Sequence, residues 1–79
     1  METITALIVA AGRGTRAGGA TPKQYRDLAG QAVLAHTINT MLANDAITQV
    51  TCVIHGDDRS LYEKATANID DTRLTAPAI

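Results

Sequence analysis

An uncharged, largely β-branched run, Ile4-Thr5-Ala6-Leu7-Ile8-Val9, leads straight into Ala10-Ala11-Gly12-Arg13-Gly14-Thr15-Arg16, and this junction restricts the fold more than any other stretch. The run predicts a strand buried on both faces, as in a parallel sheet. Gly12, Gly14, Gly18 and Gly19 break the segment from Ala10 to Pro22 too often for a helix, so the strand opens into a loop. Backbone N–H groups in such a loop can approach an anion where no Cβ intrudes. Arg16 and Lys23, seven residues apart, add two cations. Seven extended residues span at most roughly 25 Å, so both side chains can fold around one triphosphate.

Beyond the loop the period changes. Val33, Leu34, Ile38, Met41 and Leu42 fall on one helical face, with Gly30 before them and Asn44-Asp45 after them as punctuation. Gln49 to His55, carrying Val50, Cys52, Val53 and Ile54, predicts a second strand. Gly56-Asp57-Asp58 predicts a turn, either aspartate being able to cap a helix from about Arg59 to Ala67. Arg73 to Ala76 offers the start of a third strand. The order β-loop-α-β-α-β implies an α/β fold with a mostly parallel sheet and right-handed crossovers. Three strands and two helices leave at least one face or edge of such a sheet uncovered. Residues 1–79 are therefore expected to be the N-terminal part of a fuller domain, continuing past Ile79.

Composition agrees. A chain of 79 residues buries only about 60% of the surface its unfolded form exposes. Its hydrophobic fraction of 46% is rich in alanine and holds no Trp, no Phe and two Tyr, so large core anchors are scarce. Seven basic and eight acidic residues give a net charge of −1, which provides no basic face for nucleic acid. The lone Cys52 lies in an apolar run and reads as a small buried hydrophobe rather than a nucleophile. No apolar run reaches the roughly 18 residues of a membrane span, and the N-terminus lacks a secretory pattern. A cytoplasmic protein without membrane partners is the expectation.

Gly12-Arg13-Gly14-Thr15-Arg16-Ala17 fits the dinucleotide fingerprint G-x-G-x-x-G/A, but that motif needs a helix to start within it. Gly18, Gly19 and Pro22 prevent one, and Ala32 to Thr40 supplies no acidic ribose ligand. A phosphate-binding P-loop is excluded because no Gly-Lys-Ser/Thr closes the segment. A glycine-rich connection with incidental cations stays open as the bland alternative.

Three segments in register carry a family resemblance: Ala10-Ala11-Gly12-x-Gly14-x-Arg16, Pro22-Lys23-Gln24-Tyr25, and Gly30-Gln31-x-Val33-Leu34-x-His36-Thr37-Ile38. Together they resemble the N-terminus of the 2-C-methyl-D-erythritol 4-phosphate cytidylyltransferases, within the sugar-nucleotidyltransferase superfamily. The first segment marks the superfamily, and Lys-Gln-Tyr and the following helix narrow it. The resemblance covers about the first 60 residues. Val9 departs from it, since many members carry proline there. The family's later Gly-Gly segment with Arg and Ser, its metal-holding Asp and its acceptor-reading residues have no counterpart within residues 1–79.

The resemblance implies a Rossmann-like nucleotidyltransferase sandwich, of which this chain is the β-loop-α-β-α-β portion. It implies CTP and a polyol phosphate as partners, with Mg²⁺ as cofactor held by ligands beyond residue 79. A full-length homodimer and a fusion to a cyclodiphosphate synthase are both compatible with it. Arg16 and Lys23 would be the catalytic pair; Ala10, Ala11, Gly12, Arg13, Gly14 and Thr15 would line CTP. The 79 residues alone would be inactive. Arg13 either touches phosphate or faces solvent. His36 is expected to be structural, His55, Asp57 and Asp58 to form a turn or cap, and Arg59 and Lys64 to be solvated. Gln24 and Tyr25 are expected to shape the loop rather than to do chemistry. A nucleotidyltransferase acting on ribitol phosphate or a sugar phosphate, and a non-catalytic phosphate-binding fragment, remain as rival readings.

Overall fold

The computed structural model describes residues 2–11 and 23–79. Strand β1, Thr5–Ala10, pairs in parallel with a second long strand, Gln49–Ile54, in a register running from Thr5↔Gln49 to Ala10↔Ile54. Between them lie a single 3₁₀ turn, Lys23–Tyr25, a two-stranded antiparallel hairpin of β2, Asp27–Leu28, and β3, Gln31–Ala32, and helix α1, Val33–Leu42. The second long strand is therefore β4. It is followed by a 3₁₀ turn, Gly56–Asp58, and by helix α2, Arg59–Thr66.

Parallel partners point to the same side of a sheet, so Ala6, Ile8 and Ala10 share a face with Val50, Cys52 and Ile54. Helix α1 lays Leu34, Ile38 and Leu42 on that face, and α2 adds Tyr62. Val50, Cys52 and Ile38 are fully buried there. The opposite face is open, with Leu7 61% and Val9 70% exposed. The two-faced burial expected of the first strand is thus corrected. Both helices serve one face, and nothing among the described residues covers the other.

The third strand begins where expected but does not run regularly. Arg73 O accepts from Val50 N, and Thr75 N donates to Val50 O. Pro77 has no N–H to continue the ladder, and Ala78 N takes Cys52 O in its place. The parallel bridges Val50↔Leu74 and Val53↔Ala78 therefore enclose one extra residue on the outer segment, in the manner of a bulge.

The hairpin is an element that the helical periodicity does not announce. Ala29 at φ 55° and Gly30 at φ 87° form its two-residue turn, both in the left-handed region that such hairpins demand. Gly30 serves this turn rather than merely preceding the helix. Val33 N is satisfied by Arg26 O at 2.9 Å, so α1 starts without a side-chain cap. A left-handed alanine is strained, and Ala29→Asn is expected to stabilise the chain by about 0.5–1 kcal/mol, read as a rise in the urea midpoint.

The far end of α1 is closed by a residue from the other end of the chain. Arg73 donates to Leu42 O at 2.6 Å, Ile47 O at 3.0 Å and Asn44 O at 3.4 Å. A cation there satisfies helix carbonyls and complements the helix dipole. Asp71 orients it through two guanidinium hydrogen bonds, at 3.1 and 2.9 Å, and accepts from Arg73 N. The Arg73 guanidinium, then its backbone N–H, hold the Asp71 carboxyl below the usual carboxylate range. A depressed native pKa means the unfolded chain binds more protons in acid. This stabilisation is thus present above the ordinary aspartate pKa and is lost as pH falls through the lower native value. Asp71→Asn is expected to flatten that acid limb in thermal melts recorded across the acid range.

Candidate active site at the carboxyl end of the first strand

Ala10 closes β1 at 6% exposure, and Ala11, part-buried, leads on to residues 12–22. Gly12, Arg13, Gly14 and Thr15, four of the six expected CTP contacts, and Arg16, half of the expected catalytic pair, lie outside the described residues. Residue 24 lies at the same place as Ala10. Gln24 Nε2 donates to Ala10 O at 2.5 Å across a part-buried contact. Tyr25, the next residue, is 7% exposed and joins the core cluster with Leu34, Ile38 and Tyr62. Lys23 is the exposed member of this turn. Its neighbour is tied to the strand and the residue after that to the core, while its own side chain makes no hydrogen bond or ion pair among the described residues.

A hollow of about 320 Å³ adjoins the turn, lined by Ile8, Val9, Ala10, Gln24, Val33 and Thr37 among others. A larger groove of about 580 Å³ lies between α1, α2 and the hairpin, bordered by Arg26, Asn39 and Lys64. Neither Ala10 nor Lys23 borders the larger groove. Ligands of open α/β sheets bind outside the carboxyl ends of strands, which makes the smaller hollow the relevant one. Among the described residues no three His, Cys, Asp or Glu side chains stand together as a metal set.

The remaining candidates have structural duties. His36 Nε2 donates to Leu28 O at 2.6 Å, clasping the hairpin to α1. His55 Nδ1 accepts from Asp57 N at 3.1 Å and so caps the turn after β4. His55, Asp57 and Asp58 thus form the expected turn and its cap, but neither aspartate caps the following helix as expected: Asp58, at the N-cap position of α2, makes no side-chain cap bond and is 2% exposed. Arg59 and Lys64 are exposed, as expected. Cys52 is fully buried, and burial pushes its thiol up, with the Tyr62 hydroxyl beside it pulling the other way. Burial, then Cys52, push the Tyr62 phenol up to about 12. Both groups stay neutral at physiological pH and serve as core. No helix of the described residues is long and apolar enough to cross a membrane.

The sequence offers Lys23 as a candidate but does not show the amide bond that ties its turn to β1. A polar residue between a candidate ligand residue and an aromatic anchor was the available signal.

A parallel strand pair, a helical layer on one face, and a lysine turn pinned to the end of the first strand are those of an α/β fold of nucleotidyltransferase type. The comparisons make this particular. The family model described as 2-C-methyl-D-erythritol 4-phosphate cytidylyltransferase matches residues 4–75, and the chain belongs to that family. It is 51% identical over 70 residues to a protein of Paramagnetospirillum magneticum named "Bifunctional enzyme IspD/IspF", covering 89% of this chain and 18% of that one. The protein of the same name from Wolbachia pipientis wMel is 51% identical over 74 residues, covering 94% and 19%. A 2-C-methyl-D-erythritol 4-phosphate cytidylyltransferase of Cereibacter sphaeroides is 54% identical over 61 residues, covering 77% and 27%. The chain thus spans between 18% and 27% of the length of these relatives.

Proposed function

We propose that this chain supplies the nucleotide-phosphate-binding portion of a cytidylyltransferase that forms CDP-methylerythritol and pyrophosphate from CTP and 2-C-methyl-D-erythritol 4-phosphate, in isoprenoid biosynthesis. The observation that supports the reading is the Gln24–Ala10 bond, which ties the Lys23 turn to the carboxyl end of β1, in a chain of this family. A phosphate oxygen of the acceptor forms a bond to the α-phosphorus of CTP. The bond between that phosphorus and the bridging oxygen breaks, and its electron pair departs with pyrophosphate. Such chemistry asks the protein for positioning and for charge stabilisation. Lys23 offers a compact charge to the phosphoryl oxygens, and Arg16 a planar fork of donors. Ala10, Ala11 and Gly12 would lie along the nucleotide, their small size permitting close backbone approach, Gly14 and Thr15 would offer amides to its phosphates, and Arg13 would either touch a phosphate or face solvent.

A divalent ion, Mg²⁺ in this reading, would offset charge on the triphosphate. The described residues do not form a protein cage for it, so no step is assigned through it. A cytoplasmic setting and a homodimer of the long protein belong to the same proposal.

The test is a chimera in which this sequence replaces the matching 61-residue segment of the Cereibacter sphaeroides relative. Pyrophosphate release from CTP and methylerythritol phosphate is measured beside the melting temperature. Turnover comparable to the parent supports the reading. A folded chimera without turnover identifies the segment as a non-catalytic remnant and ends it.

A further inference from the structure

We propose that Gln24 is a positioning residue, whose side-chain amide fixes the Lys23 ammonium over the reacting phosphate by holding the turn to the Ala10 carbonyl. This rests on the reading that Lys23 acts on the phosphates. Ala10 is the last residue of β1 and is locked in register with Ile54, so its carbonyl is a rigid anchor. Gln24 Nε2 meets that carbonyl at 2.5 Å, so the residue next to Lys23 is tied directly to the end of β1. Tyr25 is buried in the core on the other side. The backbone bearing Lys23 is therefore set by one polar and one apolar fastening, although lysine itself has a long flexible stem. Catalytic gain from a cation depends on its being in place before charge develops, and a displacement of about 1 Å can cost about 10²-fold in rate. Removing the amide donor leaves the cation and the charge of the site intact. Its loss should therefore appear in kcat rather than in ground-state binding.

The experiment uses the same chimera with Gln24→Met, which keeps length and loses the donor, and Gln24→Glu, whose carboxyl donates to Ala10 O only when protonated. Lys23→Ala runs in parallel. For Gln24→Met the expected result is a fall in kcat of about 10²-fold, with KM for CTP and the melting temperature nearly unchanged. Gln24→Glu should show a similar fall near pH 8 and recover about fivefold, relative to the parent, toward pH 5.5, where about 6% of an ordinary glutamate is protonated. Unchanged kcat in Gln24→Met overturns the proposal, as does a kcat loss that tracks a lowered melting temperature, or a Gln24→Glu variant that gains nothing in acid. If Lys23→Ala is itself without effect, the cytidylyltransferase role given to the turn fails. If Lys23→Ala is damaging and both Gln24 variants are not, only the positioning role fails.

Discussion

Lys23→Ala, made in the chimera with the Cereibacter sphaeroides relative, is expected to lower kcat by about 10²–10³-fold while shifting stability by no more than about 0.5 kcal/mol. The two halves of that expectation come from different observations. Lys23 is exposed and makes no side-chain hydrogen bond or ion pair among the described residues, so little of the described fold leans on its side chain. Its neighbours carry the structural duties, Gln24 to the strand and Tyr25 to the core. In the proposed reaction Lys23 would contribute charge where a leaving pyrophosphate and the reacting phosphorus concentrate negative charge. Arg16→Ala is expected to act with the same order of magnitude, an expectation that rests on the motif, since Arg16 lies outside the described residues. Single-turnover rates with CTP and methylerythritol phosphate, measured beside thermal melts, separate chemistry from folding. A near-normal rate for either variant would remove that residue from the reacting set.

Elements with strong periodicity were legible in the chain itself. Leu34, Ile38 and Leu42 recur at helical spacing and form the buried stripe of α1, and Val50, Cys52 and Ile54 alternate in β4 as a one-sided strand should. Features that depend on distant partners were not legible. Ala29-Gly30 makes a hairpin because the short strands on either side find each other and His36 clasps Leu28, whereas the local residues lack the Asn-Gly signature. Arg73 reads as an ordinary strand residue until the fold brings it to three carbonyls near the end of α1. The apolar character of β1 was read as burial on both faces, but apolarity reports what a strand prefers, and Leu7 and Val9 stay exposed when no layer covers them. At the site, the cations and glycines were visible as residue types. The bond from Gln24 to Ala10 was not, since a glutamine side chain carries no sign of which carbonyl it will find.

The uneven burial of the sheet leads to the second large expected effect. Ile38 is fully buried between α1 and the sheet, and Ile38→Ala should cost about 2–5 kcal/mol through lost transfer energy and a residual cavity. A domain of this size has about 4–12 kcal/mol in all, and one open sheet face places this chain toward the lower end. Ile38→Ala is therefore expected to remove most of the cooperative urea transition followed by circular dichroism. Leu7→Thr, on the opposite face at 61% exposure, should cost about 0.5 kcal/mol or less in the same chain, since threonine keeps the strand preference and little burial is lost. In the chimera the comparison becomes diagnostic. A parallel sheet is ordinarily covered on both sides, and if the added length of the relative covers Leu7, Leu7→Thr should there cost about 1.5–3 kcal/mol. Equal costs in the two contexts would mean that the face stays open in the longer protein, and that the apolar residues of β1 answer to something other than a second helical layer.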